Sequence, residues 1–197
     1  HTAEEAADAA DCQPGPVVLK LVSSTILHRT EAKGVELGVN GRDEATRAFE
    51  RIRESARVFA ETADFNADFR GVLVSPQLEE PTAELLIACR RDPHYGPILI
   101  IAAGGVMVEV SPDRAVRGLP RRDGDFDEMV GSLRISPLLR GYRGVEGVDL
   151  PAVERLCGDL GDLLLSYPGL LEIELNPVFA YPNKAVAVDS LAILSDI

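Results

Sequence analysis

Two alternating runs near the end of the chain limit its possible folds most strongly. Residues 171–181 and 185–189 form two strand-like runs separated by Pro182-Asn183-Lys184, and apolar and polar side chains alternate at residues 171–176. Two such runs on either side of a turn signal predict a β-hairpin. Because strand side chains alternate with a period of two, Glu174 and Asn176 lie on one polar face.

The register of this hairpin brings oxygen ligands together. We place the turn between Tyr181 and Ala185. Asn176 then falls opposite Ser190 and one residue from Asp189. An amide oxygen and a carboxylate suit Mg²⁺ that carries the phosphates of a nucleotide. The spacing alone favours a polar hairpin without a ligand, so the segments upstream decide between the two interpretations.

The charge of the chain excludes some partners. A net charge of −12 argues against nucleic acid as the main partner, because phosphate backbones bind basic surfaces. A nucleotide needs only a few local cations and is not excluded. No apolar run is long enough to span a membrane. The three cysteines have no metal-ligand spacing. We therefore expect a soluble, cytoplasmic protein with buried or neutral thiols.

A lysine interrupts the first apolar strand, and a polar loop follows it. Lys20 lies within the apolar run 17–22 and is either a snorkelling side chain or a cation for a phosphate. The run is too apolar to lie at a sheet edge. The loop 23–34, which includes His28, is either an ordinary surface loop or a flap over phosphates.

The remaining pattern divides the chain into two parts. Apolar strands and one long helix precede Ser75-Pro76-Gln77, where proline ends a strand and leaves a bent connector. An antiparallel sheet follows, in which Glu84 is the first charge of an apolar strand and Gly104-Gly105 permits close backbone approach. We expect an α+β protein with two lobes, residues 1–75 and 76–197.

Local patterns predict the individual elements. Helices are predicted at about residues 42–61, 125–133 and 150–166. An antiparallel strand pair is predicted at residues 83–91 and 97–103, and residues 136–144 are predicted to form a loop.

Six segments occur in the order and spacing of one known family. They are Val18-Leu19-Lys20; Ile26-Leu27-His28-Arg29-Thr30-Glu31 with Lys33-Gly34-Val35; Arg91-Asp92-Pro93-His94-Tyr95-Gly96-Pro97; Gly104-Gly105-Val106 with Val108-Glu109; Pro137-Leu138-Leu139-Arg140-Gly141; and Glu174-Leu175-Asn176-Pro177 with Val188-Asp189. Together they resemble the ATP-grasp domain of NDP-forming acyl-CoA synthetases, of the β-subunit type of ADP-forming acetyl-CoA synthetase. The β subunit of succinyl-CoA synthetase is a more distant relative. The resemblance covers nearly the whole chain.

The resemblance implies a fold and a reaction. The fold would be an ATP-grasp fold, with the nucleotide site between two lobes and part of the N-terminal lobe preceding His1. The reaction would be that of an acid-thiol ligase, in which carboxylate, CoA and ATP exchange with acyl-CoA, ADP and phosphate through a phosphohistidine. ATP or ADP and Mg²⁺ would be the cofactors. The partner would be a CoA-binding domain or subunit that carries the active histidine.

The resemblance also implies roles for individual residues. His28 would relay phosphate, and Glu174 would orient the phosphohistidine. Asn176 and Asp189 would ligate Mg²⁺. The implied nucleotide-binding residues are Lys20 at the phosphates, Ser75 and Gln77 in the connector at adenine, Glu84 at the ribose, and Arg29, Gly34, Gly104 and Gly105.

The chain departs from the family pattern in three places. Lys33 replaces the first of two glycines, Ser75-Pro76-Gln77 replaces Gln-Pro-Met, and Ile101-Ala102-Ala103 precedes the glycine pair. These differences predict a stiffer, more cationic loop and an unusual adenine pocket.

Two other functions remain open from the sequence. One is a ligand-sensing, synthetase-like module attached to a protein lysine acetyltransferase, with no catalysis of its own. The other is an ATP-grasp ligase that couples an acyl phosphate to an amine, although such a ligase needs neither Glu174 nor His28 for a phosphohistidine path.

Overall fold

A computed structural model describes most of the chain as two compact units, His1–Glu79 and Glu80–Ile197. The described residues are 1–26, 29, 31–66, 68–105 and 113–195. Each unit contains an antiparallel sheet with helices packed on one face, which confirms the predicted α+β class. The elements are α1 (Ala3–Asp11), β1 (Val17–Ser23), β2 (Val35–Val39), α2 (Gly41–Thr62), β3 (Phe69–Pro76), β4 (Ala83–Asp92), β5 (Gly96–Ala103), β6 (Arg114–Gly118), α3 (Asp125–Ser132), α4 (Ser136–Arg140), α5 (Leu150–Ser166), β7 (Leu170–Tyr181), β8 (Lys184–Ala187) and β9 (Ser190–Leu194).

The first unit is a three-stranded sheet covered by two helices. Its strand order is β2-β1-β3, so the apolar strand β1 is central, as predicted. Leu19 and Leu21 of β1 are fully buried in one cluster with Ala48 and Ile52 of α2. Because side chains alternate along a strand, the residues of β1 between these leucines face away from the helices.

The second unit is a six-stranded sheet with helices on one face. Its strand order is β6-β5-β4-β7-β8, and β9 also pairs with β7. Leu85 and Ile87 of β4 lie in one buried cluster with Met129 of α3 and Leu164 of α5. The predicted pair β4 and β5 and the predicted helices are confirmed. None of the helices that the structure describes is both long and apolar enough to cross a bilayer.

Two elements of this unit differ from the prediction. Residues 136–144 were expected to form a loop, but Ser136–Arg140 is a short helix with proline in its first turn, a position that tolerates proline. The carboxylate of Asp113 accepts the N–H groups of Arg134 and Ile135 just before this helix, at 2.8 and 3.0 Å. The strand β9 was not predicted: the second predicted run ends at Asp189, whereas pairing with β7 continues through Ser190–Leu194.

Two of the three thiols lie in the core of the second unit. Cys89 and Cys157 have no exposed surface, whereas Cys12 is exposed. Burial raises the pKa of both buried thiols to about 12, because the thiolate would lose its hydration. Cys89 and Cys157 are therefore neutral, as expected.

The Arg91 side chain closes the C-terminal end of α5. Its Nε donates to the carbonyl of Leu170 at 3.0 Å. Its Nη2 donates to the carbonyls of Leu164 and Tyr167, at 2.5 and 3.2 Å. The Leu164 carbonyl lies in the last turn of α5, where a helix has no N–H partners of its own. The guanidinium therefore satisfies this carbonyl and ties the helix end to the start of β7.

Replacing Arg91 with alanine should therefore destabilise the protein. We expect Arg91→Ala to lower the free energy of unfolding by about 2 kcal/mol, because hydrogen bonds to a charged donor are lost. Arg90→Ala is the matched control: Arg90 is exposed and pairs with Asp92 at 3.4 Å, and such pairs contribute about 0.5 kcal/mol. Urea unfolding measures both values, and equal losses would contradict the capping role.

Candidate functional site

In the first unit, Lys20 projects from the sheet face opposite the helices. It is half-buried, and its partners in register are Val35 of β2 and Leu73 of β3. Residues directly opposite each other share a face, so a cation lies between two apolar side chains. Leu37 and Leu73 on this face are 67% and 56% exposed. A cation on an accessible apolar face suits a ligand with both an aromatic ring and phosphates.

The base of the loop after β1 is closed by short hydrogen bonds. The N–H of Leu21 donates to the carbonyl of Gly34 at 2.7 Å, and the N–H of Gly34 donates to the carbonyl of Arg29 at 2.7 Å. Arg29 Nε also donates to the carbonyl of Leu21 at 2.9 Å. A Cβ on Gly34 would lie 2.8 Å from Leu21 Cβ, so this position needs glycine for close packing. His28 lies outside the described residues.

The connector is more regular than predicted. Ser75 and Pro76 are the last residues of β3, and the N–H of Gln77 donates to the carbonyl of Pro16 at 2.9 Å. The side-chain oxygen of Gln77 accepts the N–H of Gly38 at 2.5 Å. The strand β3 ends at Pro76, as predicted, and its pairing with β1 includes Ser75 and Pro76, because proline is tolerated where an edge strand needs no N–H donor. Any adenine contact here must use groups other than the Gln77 N–H.

In the second unit, the structure brings Glu84, Gly104 and Gly105 together. The N–H of Gly104 donates to the carbonyl of Glu84 at 2.7 Å, and a Cβ on Gly104 would lie 2.8 Å from the carbonyl carbon of Glu84. Gly105 has a φ of +68°, and its Cβ would lie 2.6 Å from Glu84 Oε2. The glycine pair therefore permits the close approach that the sequence predicts, and it leaves room for the Glu84 carboxylate.

Glu174 and Asn176 lie on the sheet face opposite the helices, and the structure joins them. Asn176 Nδ2 donates to Glu174 Oε1 at 3.2 Å. An amide that donates through its nitrogen keeps its oxygen free to accept or to ligate a cation. The register against β4 shifts between Leu85 and Ile87, so this stretch of β7 contains a bulge. Bulges of this kind change the direction of side chains and often lie beside active sites.

Asp189 lies closer to Asn176 than the sequence predicted. Tyr181 pairs with Lys184, so the hairpin turn has two residues instead of the predicted three. This shorter turn shifts the register by one, and the expected pairing of Asn176 with Ser190 is wrong. The N–H of Asn176 instead donates to the carbonyl of Asp189 at 3.1 Å.

The two candidate metal ligands, Asn176 and Asp189, suit a cation that also keeps water or phosphate oxygens as ligands. Among the described residues, no three His, Cys, Asp or Glu side chains are grouped so that they could hold a metal ion. Asn176 and Asp189 contribute only an amide oxygen and a carboxylate. Such a donor pair suits Mg²⁺, which usually retains water and phosphate oxygens alongside one or two protein ligands.

Sequence reasoning missed two residues on this face. Phe179 is directly opposite Glu84, and Leu191 is directly opposite Glu174. A hairpin register with the correct turn length would have identified Leu191 as a neighbour of Glu174. No signal in the sequence pairs Phe179 with Glu84, because they belong to strands far apart in the chain.

Comparisons with known proteins identify the family and the fold of this chain. Residues 1–194 match the family model described as an ATP-grasp domain. The β subunit of the ADP-forming acetate–CoA ligase I of Pyrococcus furiosus is 35% identical over 91% of this chain and 75% of its own length. A solved structure of acetyl-coenzyme A synthetase 1 of Ca. Korarchaeum cryptofilum, in complex with coenzyme A and Ca-AMPCP, has a TM-score of 0.90. Its identity is 32%, over 98% of this chain and 82% of that one.

A second structure of the same synthetase contains coenzyme A and Mg-AMPPCP, with its phosphohistidine segment pointing towards the nucleotide-binding site. It has a TM-score of 0.80 and 30% identity, over 98% of this chain and 83% of that one.

The chain belongs to the ATP-grasp domain family. Within that family it is similar to ADP-forming acetate–CoA ligases and acetyl-CoA synthetases, which confirms the predicted resemblance. The predicted ATP-grasp fold is confirmed as well.

Gly105→Ala should displace the Glu84 carboxylate and weaken nucleotide binding. Gly96→Ala is the control, because Gly96 has a similar φ of +73° but has nothing within 4 Å of an added Cβ. Both variants should lose about 1 kcal/mol of stability from the strained backbone. Only Gly105→Ala should weaken ADP binding, by about tenfold, when affinity is measured by calorimetry. Equal ADP affinities in the two variants would contradict a role for the Glu84–Gly105 contact.

Proposed function

We propose that this chain is the nucleotide-handling component of an ADP-forming acyl-CoA synthetase, an acid-thiol ligase. The observation that carries the proposal is the group formed by Glu174 and Asn176 of β7 and by Asp189, whose backbone meets that of Asn176. Asn176 donates to Glu174 through its side chain and to Asp189 through its backbone. Two oxygen ligands next to a separately oriented carboxylate are what a metal-assisted phosphoryl transfer to or from histidine requires.

Glu174 would orient the histidine that the partner supplies. Because Asn176 occupies Glu174 Oε1, the second oxygen is left to accept an imidazole N–H. A carboxylate in this position holds the ring in one tautomer and directs the other nitrogen at the terminal phosphate. In the direction of acyl-CoA synthesis, the phosphoryl group would pass from ATP to this nitrogen, which releases ADP. It would then pass from the histidine to the carboxylate substrate bound by the partner. His28 would act as a phosphate relay.

Asn176 Oδ1 and the carboxylate of Asp189 would hold Mg²⁺. When bound, Mg²⁺ neutralises charge on the phosphates as the phosphoryl group moves. Lys20 would contact the phosphates from the first unit, and Glu84 would accept the ribose hydroxyl groups. The backbone near Gly104 and Gly105 can approach a ligand closely because neither residue has a side chain.

The connector and the loop base would contribute less directly. Ser75 and Gln77 would border adenine, and Arg29 and Gly34 would keep the loop after β1 closed over its base. We also propose that the two units are the two lobes of the ATP-grasp fold, with the predicted boundary at residues 75 and 76.

A partner must complete the enzyme. The Pyrococcus relative is named as a β subunit, and coenzyme A is present in both Korarchaeum structures. We propose that a CoA-binding domain or subunit supplies the active histidine and the acyl-binding pocket. This chain would provide the ATP or ADP and Mg²⁺ sites.

The other two functions gain no support. Relatives from Pyrococcus, Archaeoglobus and Nitrosopumilus are named as ADP-forming CoA ligases, so a sensing module of a protein acetyltransferase is not supported. An amine-coupling ligase would need neither a phosphohistidine nor a carboxylate placed to orient it.

The binding of ADP should depend on Mg²⁺ and on Asp189. We expect calorimetric titration to give at least about tenfold tighter ADP binding with Mg²⁺ than without it. Asp189→Ala should remove this difference, because one of the two protein ligands is lost.

Asp162→Ala is the matched control for the titration. Asp162 is exposed on α5, and its replacement changes the net charge by the same amount. This variant should keep the Mg²⁺ dependence of the original protein. ADP binding that ignores both Mg²⁺ and Asp189→Ala would refute the metal site and with it the proposed phosphoryl-transfer role.

A further inference from the structure

One arginine lies on the face of the second sheet that has no helix packed on it, which we call the open face. Arg114 of β6 is directly opposite Ala102 of β5, and Ala102 is directly opposite Leu86 of β4. Residues directly opposite each other share a face. Leu85 and Ala115, which are chain neighbours of Leu86 and Arg114, are buried in the core under the helices. Because side chains alternate along a strand, Arg114 projects from the open face.

The two carboxylates that we assign to the ribose and to the phosphohistidine lie on the same face. Glu84 is two residues before Leu86 on β4. Glu174 is directly opposite Ala88, which is two residues after Leu86. Two residues span about 6.6 Å along a strand, and Arg114 is level with Leu86, so its row lies between the rows of the two carboxylates. The phosphates of a nucleotide would span the same interval, from the ribose to the histidine.

Arg114 is also available to bind an anion. It is exposed, and no carboxylate within residues 1–26, 29, 31–66, 68–105 and 113–195 forms an ion pair with it. Arg90, on the same face, instead pairs with Asp92 at 3.4 Å. Lys184 Nζ lies over the ring of Tyr181, 4.9 Å from its centroid. Arg114 differs from both of these cations because it has no partner in the described part of the chain.

Phosphates on the open face need a cation on the side of β6. The carboxylates of Glu84, Glu172 and Glu174 would repel them, because like charges at short range oppose each other. The proposed Mg²⁺ would neutralise phosphate charge from the side of β7. Arg114 lies on the other side of β4. Between β6 and β4 its row contains only Ala102, whose single methyl group lets the long Arg114 side chain extend across β5.

We propose that Arg114 binds the terminal phosphate of the nucleotide, the group that passes to the histidine. This inference rests on the proposed function and adds a residue to the nucleotide site. A guanidinium is planar and donates two parallel N–H bonds to phosphate oxygens. During transfer the bond from phosphorus to the oxygen of ADP breaks while a bond to the histidine nitrogen forms. Arg114 takes part in neither bond and keeps its proton, and it stabilises the negative charge on the phosphoryl oxygens.

The alternative role for Arg114 is to protect an exposed sheet edge. The strand β6 is at the edge of the second sheet, and charged side chains on edge strands prevent unwanted pairing. A protective charge would act in the same way whichever nucleotide is present. Ligands with and without a terminal phosphate therefore distinguish the two roles.

The test uses the complete enzyme, this chain together with its CoA-binding domain or subunit. Calorimetry with Mg²⁺ measures the binding of ADP and of AMPPCP, an ATP analogue that keeps the terminal phosphate but cannot transfer it. We expect Arg114→Gln to weaken AMPPCP binding by at least about tenfold, because charged hydrogen bonds to that phosphate are lost. ADP affinity should stay within about twofold, because ADP lacks this phosphate. Phosphohistidine formation at saturating ATP should be at least about tenfold slower.

Arg155→Gln is the matched control. Arg155 is exposed on α5, on the helical side of the sheet, and its replacement changes the net charge by the same amount. This variant should keep the original AMPPCP affinity and the original rate. Arg114→Lys should fall between the original and Arg114→Gln, because it keeps the charge but loses the planar pair of donors.

Three results would overturn the role of Arg114. Unchanged AMPPCP affinity in Arg114→Gln would leave protection of the sheet edge as its role. Equal losses of ADP and AMPPCP affinity would show that its contact is not with the terminal phosphate. An equal effect of Arg155→Gln would identify a long-range effect of net charge instead of a contact.

The unmodified enzyme tests the proposed function separately. If it binds ADP and AMPPCP but forms no phosphohistidine from ATP, the proposed phosphoryl transfer is overturned, while the two affinities still test the contact of Arg114. If it forms phosphohistidine and Arg114→Gln changes neither affinity nor rate, only the role of Arg114 is overturned.

Discussion

The register of β7 against β8 and β9 is the constraint on which the candidate site depends. A two-residue turn between Tyr181 and Lys184 aligns the strands so that the N–H of Asn176 meets the carbonyl of Asp189. A turn longer by one residue would move every side chain after it to the opposite face. Asn176 would then lie opposite Ser190 instead of Asp189, and Leu191 would no longer share a face with Glu174.

In both units, one face of the sheet has no helix packed on it. Helices cover one face of each sheet, where Leu19 and Leu85 are fully buried. The opposite faces carry Lys20 in the first unit and the Glu174 group in the second. Because the two large hydrophobic clusters lie on the helical side, the exposed side chains on the other side are available for binding. The glycines at positions 34 and 104 serve this arrangement, since each lets two backbone segments approach more closely than any side chain would allow.

The periodicity of the sequence predicted most of the helices and strands. It failed where contacts between residues far apart in the chain determine the local structure. The strand pair β4 and β5 and the helix α5 follow directly from local patterns. The turn length at Pro182 could not be predicted, because Pro-Asn-Lys is compatible with turns of two or three residues. Ser136–Arg140 forms a helix beside contacts from Asp113, more than twenty residues earlier. For the site, the hairpin spacing brought oxygen atoms together but by itself favoured a hairpin without a ligand, and the resemblance supplied the metal and the individual roles. The structure brought Glu84 to Gly105 and Glu174 to Asn176, while the assignment of ligands to these groups stays a proposal.

Phosphorylation of the partner's histidine by ATP, with and without Glu174→Gln, tests the central claim most directly. Glutamine preserves the size of the side chain but is a poor acceptor for an imidazole N–H that must carry positive charge during transfer. We predict that Glu174→Gln lowers the rate of phosphohistidine formation by at least about a hundredfold while ADP affinity changes by less than about twofold. The exposed loop residue Glu146 provides the control, and Glu146→Gln should behave like the original enzyme. Phosphohistidine formation at the original rate in Glu174→Gln would contradict the account.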